Sequence, residues 1–149
     1  MAAQAWQVYN KAKKSIGNAT LSLAATTYRI SLVTSASNFH TFTISTFASL
    51  TGEIADGNGY STSGKAMTSE VWTVGASAKQ YKFDADDVVW TGTGGAINNI
   101  KAAVIWNSGA STLARKLLCH ASLTSAQFNL SIGNTLTIQM ASTGILTLT

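Results

Sequence analysis

The chain has 149 residues, of which 46% are hydrophobic, so it can form one domain with a buried core but has little room for a second. Only 11% of the residues are charged, about half the usual share, and the net charge is +4. The single cysteine, Cys119, excludes an intrachain disulfide, and no run approaches the roughly 18 apolar residues of a membrane-spanning helix.

An N-terminal helix over residues 3–16 is the first element that the sequence predicts. Large side chains recur there every three or four residues, which is the spacing of one helix face: Trp6, Tyr9, Lys13 and Ile16. A glycine-asparagine pair follows and is a typical helix end. Because a helix of about four turns is not stable alone in water, it must pack on its own sheet or on a neighbouring subunit.

The chain is therefore predicted to divide into residues 1–17, a helix or attachment arm, and residues 18–149, a single β-sandwich domain. Interfaces between proteins are enriched in large aromatic side chains. Both the terminal helix and the polar, aromatic stretch over residues 35–50 carry such side chains. The candidate assembly interface consists of Trp6, Tyr9, Lys13, Phe39, Phe42 and Phe47.

After the helix, the sequence changes to the period-two pattern of strands, beginning with Tyr28, Ile30 and Leu32. Residues 34–49 form a long connection, with a short helix near 45–50. Further strands are predicted at 66–74, 79–83, 88–90, 100–106, 113–121, 128–131, 135–140 and 145–148. Many short strands with glycine turns predict a mainly β fold, either an antiparallel β-sandwich or a jelly-roll-like barrel, with a short N-terminal helix.

The strongest turn signal in the chain is formed by Gly57, Asn58 and Gly59. Glycine and asparagine accept the left-handed backbone that a tight hairpin turn requires, so we predict a structural turn here. A second glycine-rich turn lies at residues 92–95. It resembles a phosphate-binding loop only in its glycine content, because the lysine-serine end of that motif is missing.

Three carboxylates, those of Asp84, Asp86 and Asp87, follow one another closely between two predicted strands. Hard oxygen ligands in a tight turn suit Ca²⁺, but the EF-hand spacing and its closing glutamate are missing. Aspartates in turns more often accept hydrogen bonds from nearby backbone N–H groups. We therefore predict a structural turn and expect neither a metal nor a cofactor.

Catalytic chemistry has few candidate groups in this chain, whose only histidines are His40 and His120. A hydrolytic site needs a histidine beside a nucleophile. His120 directly follows Cys119, but neighbours in a strand point to opposite faces, which argues against a pair there. We therefore predict no catalytic residues and no enzymatic activity.

The positive charges fall into two groups in the sequence. Lys11, Lys13 and Lys14 lie near the N-terminus, whereas Arg115 and Lys116 form a separate pair. Such groups are most often solvated faces, and no alternation of basic and aromatic residues typical of a nucleic-acid-binding module is present. The sequence therefore predicts no concentrated basic patch and no nucleic-acid binding.

Four segments together resemble a group of small bacteriophage virion structural proteins. They are the loop GNGYSTSGK from Gly57 to Lys65, the run FDADDVVW from Phe83 to Trp90, the strand from Ala102 to Trp106, and the closing run TGILTL from Thr143 to Leu148. The resemblance covers roughly residues 10–149. These motifs are moderately specific, since the role of such proteins differs between phages.

The resemblance implies a non-enzymatic virion protein, first of all a head decoration or cement protein that binds and stabilises the capsid shell. Its partners would be the major capsid protein or other virion subunits, with homo-oligomers in the particle and no role for nucleic acid or membrane. It would join virions in the host cytoplasm, which agrees with an N-terminus that lacks the pattern of a signal peptide. The alternative is a tail or fibre component with a host-surface or carbohydrate-binding module.

Overall fold

The computed structural model describes residues 4–24, 27–109 and 115–149. The fold is mainly β, with several antiparallel sheets and one short helix, and is β-sandwich-like, which confirms the predicted fold class. The helix, α1, spans Asn10–Gly17 and a 3-10 helix spans Phe47–Ser49. The strands are β1 Gln7–Val8, β2 Tyr28–Val33, β3 Lys65–Ala66, β4 Val71–Val74, β5 Tyr81–Asp84, β6 Val88–Thr91, β7 Ile97–Ile100, β8 Ala102–Asn107, β9 Leu117–Ser122, β10 Phe128–Leu130, β11 Thr135–Ile138 and β12 Leu146–Leu148.

The largest sheet has five antiparallel strands in the order β1-β9-β8-β2-β3. Its inner strands β8 and β9 are buried along their whole length. A strand that is buried on both faces needs apolar residues in nearly every position, which is the pattern that residues 100–106 show. The indole Nε1 of Trp106 donates to Ser31 Oγ at 3.0 Å, so two buried polar groups satisfy each other inside this core.

Three smaller sheets share one core with the large sheet. β6 pairs with β11, β7 pairs with β10, and β5 lies between β4 and β12. Ring contacts join these layers: Tyr28 of β2 meets Phe83 of β5 with centroids 4.9 Å apart, and Tyr60 stacks 6.4 Å from Trp90 of β6. All four rings are buried, so the sheets enclose a continuous aromatic and aliphatic interior.

The N-terminal prediction needs a correction. Instead of a helix over residues 3–16, the chain enters as β1, in which Val8 pairs with Cys119 of β9, and α1 starts only after that strand. Pairing along the edge of β9, together with the β propensity of Val8, outweighs the helical spacing of the side chains. Tyr9 belongs to the main core and α1 contacts β9, so of the two packing partners that the sequence left open, the helix packs on the protein's own sheet.

Two of the predicted strands are interrupted in the structure. The segment 66–74 divides into β3 and β4, separated by Ser69, whose φ of +55° turns the chain. The segment 100–106 divides at Lys101, whose Nζ donates to the backbone carbonyls of Thr124 and Ser125, both at 2.7 Å. The Lys101 backbone nevertheless keeps two hydrogen bonds, because its N–H donates to the carbonyl of Val33 at 2.9 Å and its carbonyl accepts the N–H of Leu123 at 3.0 Å.

The remaining sequence predictions concern the connections. The short helix expected near residues 45–50 is confirmed as the 3-10 helix. The strand predicted over 113–121 starts at residues 113 and 114, which lie outside the described residues. The described remainder of that prediction contains β9. Among the described helices, none has the length and apolar character needed to cross a lipid bilayer.

Candidate assembly surface

Two of the predicted interface residues lie inside the protein's own core. Tyr9 and Phe39 have no exposed surface, and the Tyr9 hydroxyl donates to the Phe39 backbone carbonyl at 2.9 Å. Because neither ring reaches the surface, neither can contact another protein in this fold. Their assignment to the assembly interface is therefore wrong. The two residues instead join the start of α1 to the connection over residues 34–49.

That connection folds onto its own chain. The ring of Phe47 stacks on Trp106 with centroids 4.1 Å apart and an interplanar angle of 18°. The backbone N–H of Phe47 donates to the carbonyl of Arg115 at 2.7 Å, which ties the connection to the approach to β9. Phe42 and Lys13 are exposed, so of the predicted interface residues in this region these two remain available to a partner.

Trp6 is half-buried beside a groove of about 700 Å³ that runs between the segment before β1 and strand β11. Its wall is mostly apolar, with glutamine and threonine side chains at several positions. The large apolar side chains that line it with Trp6 are Leu123, Phe128, Leu136 and Ile138. The indole is therefore only partly covered, and its place in an assembly interface stays a prediction.

A row of exposed apolar side chains crosses the three-stranded sheet, and sequence reasoning did not assign it to a surface. Tyr81 of β5 pairs with Val74 of β4 on one side and with Leu148 of β12 on the other. All three are close to half exposed, at 46%, 47% and 49%. Together with Val71, they are four of the seven large hydrophobic side chains exposed within the described residues. We call Val74, Tyr81 and Leu148 the exposed row.

The exposed row continues a buried apolar face. Side chains two residues apart in a strand share a face, so Tyr81 lies on the same side of the sheet as Phe83, which is fully buried. Trp72 stands between these regions and stacks on Tyr81 with centroids 5.8 Å apart. The three-stranded sheet therefore extends past the core that covers it. The spacing of the apolar residues was visible in the sequence, but only the register shows that they meet.

A second cluster of rings surrounds His120 on β9. The centroids of Tyr9, Phe39 and Phe42 lie 5.0, 5.4 and 5.4 Å from the imidazole, and His40 lies 6.2 Å away. Both ring nitrogens of His120 are buried without a hydrogen-bond partner among the described residues. Burial, and secondarily the charge on His40, lowers the pKa of His120 from 6.5 to about 4. The imidazole is therefore neutral near pH 7.

The adjacent thiol is equally enclosed. Cys119 is fully buried, and burial raises the pKa of its thiol well above the ordinary value, so the group stays protonated. A thiol acts as a nucleophile only as the thiolate. Since Cys119 and His120 are successive residues of β9, their side chains point to opposite faces. This arrangement suits packing on both sides of the sheet.

The turn at Gly57, Asn58 and Gly59 closes a tight hairpin. Gly57 and Tyr60 exchange two backbone hydrogen bonds, at 2.8 and 2.9 Å, and the residues between them have positive φ. The Asn58 amide also donates to the carbonyl of Ala96 at 2.8 Å. The predicted turn is confirmed, and its tip is fixed to the second glycine-rich turn, in which Gly94 has a φ of +78°.

The aspartates between β5 and β6 point to different partners. Asp84 binds Lys82 Nζ at 2.6 Å and accepts the N–H of Ala85, whereas Asp87 accepts the N–H of Met140 at 2.8 Å. Asp86 accepts the hydroxyls of Thr68 and Ser69 at 3.1 and 2.6 Å. Asp86 and Asp87 thus join the turn to other segments, whereas Asp84 binds groups next to it in the chain, and all three carboxylates have the structural role predicted for them.

We expect Asp86→Ala to lower the free energy of unfolding by about 0.5–1.5 kcal/mol, because two hydroxyl donors lose their shared acceptor. Asp86→Asn keeps an acceptor oxygen and should cost less. Urea unfolding of the three proteins measures both effects. EDTA should leave the melting temperature of the wild type unchanged; a fall that Ca²⁺ restores would show that the carboxylates hold a cation instead.

Comparison with known proteins adds no relative: no family model, curated protein or solved structure is significantly similar to this chain. The fold and its surface define the chain as a β-sandwich-like domain with one apolar sheet end left uncovered. Function is therefore inferred from that surface and from the motifs described above.

Proposed function

We propose that the protein is a non-enzymatic structural subunit of a bacteriophage particle, most specifically a head decoration protein that binds the capsid shell and stabilises it. The exposed row is the observation that carries this proposal. Soluble monomers rarely leave large adjoining apolar side chains uncovered, and such surfaces mark sites of protein association. Because the sequence motifs resemble those of small virion proteins, we infer that this association takes place on a phage particle.

The contribution of one copy is modest. Burying the remaining half of each side chain in the exposed row yields about 1 kcal/mol per residue. Such a gain is small against the cost of immobilising a free protein. A capsid shell presents the same binding site many times, and each bound subunit can also contact neighbouring subunits. Many weak contacts then act together and hold the protein on the shell. The low charge of the chain suits a surface that is largely covered in the assembly.

A tail or fibre component is the second candidate function, and the stacked rings of Trp72 and Tyr81 favour it. An exposed aromatic face binds the apolar side of a sugar ring, while nearby hydroxyls and amides bind its polar edge. The Tyr81 ring is about half exposed and therefore accessible to such a ligand. In that case the same surface would contact a host glycan instead of the shell.

Particles that lack the protein distinguish the two functions. A ligand that binds only the assembled shell stabilises it by its binding free energy. We therefore expect particles from a deletion strain of the encoding phage to assemble with normal geometry, to release their DNA at a lower temperature, and to recover when the purified protein is added. Particles with full heat resistance that no longer adsorb to cells would contradict the decoration function and support the tail component.

A further inference from the structure

The six carboxylates of the chain are all engaged by its own groups. Each accepts at least one hydrogen bond from a backbone N–H, a hydroxyl or an ammonium group of the same chain; they are Glu53, Asp56, Glu70, Asp84, Asp86 and Asp87. All lie between residues 53 and 87. The negative charge is therefore confined to one part of the chain and used internally, and the net positive charge is left to the rest of the surface.

The fold brings the two basic groups of the sequence together, contrary to the prediction of no concentrated patch. Lys11 and Lys14 of α1 line a groove of about 190 Å³ whose opposite wall contains Lys116. The position of Lys116 is fixed, because its Nζ donates to the carbonyl of Thr20 at 2.8 Å and its backbone bridges to Thr46. Among the described residues that line the groove, none carries a carboxylate. The groove is therefore strongly positive.

The groove is also lined by polar side chains that can hydrogen-bond to an anion. Hydroxyls from Ser15, Ser45 and Thr46 and the amide of Asn18 line it beside the lysines. Hydroxyl and ammonium groups together are the donors that bind phosphate and sulfate oxygens in proteins. The small volume suits a single tetrahedral oxyanion with its nearest water, and not a flat or extended organic ligand.

The placement of Lys11 is difficult to explain by stability alone. It lies in the first turn of α1, where the helix dipole is positive and a cation is unfavourable, and that turn has no acidic residue. Lys14 in the last turn agrees with the dipole. Lys11, Lys14 and Lys116 line the same groove, so their like charges disfavour one another there. A bound anion would offset both costs.

We infer that the groove between α1 and the segment of Lys116 binds a tetrahedral oxyanion, either phosphate or sulfate. The site is independent of the proposed particle function, since it lies on α1 and the approach to β9 while the exposed row lies on β4, β5 and β12. The oxyanion is either a free ion or a group of a larger molecule such as a phosphodiester. The geometry requires only that one such group enters the groove.

The test is a titration of ¹⁵N-labelled protein with inorganic phosphate at constant ionic strength, followed by NMR. We expect the amide signals of Ser15, Ser45 and Thr46 to shift, with a dissociation constant of about 1 mM. The double variant Lys11→Gln/Lys14→Gln should weaken binding about tenfold or more. The matched control is Lys13→Gln/Lys79→Gln, which removes the same charge outside the groove and should keep the affinity.

Three results would overturn this inference. In the first, phosphate and sulfate shift no signals of the groove. In the second, both double variants lose affinity equally, which would mean that net charge alone attracts the anion. In the third, a short thymidine oligonucleotide binds while phosphate and sulfate do not, which would indicate a surface that follows a nucleic-acid backbone instead of a site for one oxyanion. Binding of both, lost together in Lys11→Gln/Lys14→Gln, would support the site and identify the phosphodiester as a source.

Discussion

Replacing Gly64 by alanine is expected to lower the free energy of unfolding by about 3 kcal/mol or more. Gly64 has a φ of +64°, which alanine adopts only with strain, and it lies immediately before β3. A Cβ atom added there would lie 2.0 Å from the carbonyl oxygen of Ile30 and 2.8 Å from the Cα of Ser31. Since both atoms belong to the backbone of β2, the clash can be relieved only by moving β2 and β3 apart.

Substitutions of two other glycines distinguish the two causes of that loss, which are backbone strain and the clash with β2. Gly94 also has a positive φ, of +78°, but nothing lies within 4 Å of a Cβ there, so Gly94→Ala should cost only the backbone strain of about 1–2 kcal/mol. Gly17 has neither restriction, and Gly17→Ala should be neutral or slightly stabilising. Urea unfolding of the three variants measures the loss of unfolding free energy in each and thus their order. Equal losses for Gly64→Ala and Gly94→Ala would contradict the close approach of Gly64 to β2.

Acid is expected to destabilise the protein through His120. The pKa is about 4 in the folded state and 6.5 when the residue is unperturbed, so unfolding takes up a proton between these values. The stability that depends on the neutral imidazole is complete above pH 6.5, falls as the pH decreases, and is lost near pH 4. The shift corresponds to about 3 kcal/mol. Urea unfolding at several pH values between 7 and 4 measures it.

Variants of the histidines identify the group responsible. His120→Phe places an uncharged ring among Tyr9, Phe39 and Phe42 and should remove most of the pH dependence between 6.5 and 4 while leaving a folded protein at pH 7. His120→Leu serves the same purpose if phenylalanine is too large. His40→Gln removes only the smaller cause of the lowered pKa of His120 and should keep most of the pH dependence, because burial is the larger cause. If His120→Phe and the wild type lose stability in parallel, the acid sensitivity belongs to other groups.

The features that the sequence predicted correctly depend on neighbouring residues. The hairpin turn at 57–59 follows from the backbone freedom of glycine and asparagine, and the aspartate turn follows from side chains that bind groups close in the chain or across one strand pair. The high burial of residues 100–106 follows from composition, because only an interior strand is apolar on both faces. These properties do not depend on which distant segments come together.

The features that the sequence missed depend on pairing over long distances. The segment before Tyr9 has helical spacing, but it becomes a strand because the edge of β9, more than a hundred residues later, is open to it. Tyr81, Val74 and Leu148 meet only through the register of three strands. Likewise, Lys116 reaches Lys11 and Lys14 because α1 packs against β9. Local patterns carry no information about such register.

The claim that the exposed row attaches the protein to a phage particle can be checked by counting the copies per purified particle with quantitative mass spectrometry. We expect hundreds of copies for the wild type and fewer than about a tenth of that number for Tyr81→Lys, because a buried charge at the centre of an interface prevents docking. Ile132→Lys, which changes the most exposed large hydrophobic residue outside this sheet, should be retained like the wild type. Absence of the wild type from particles, or equal numbers for all three proteins, would contradict the claim.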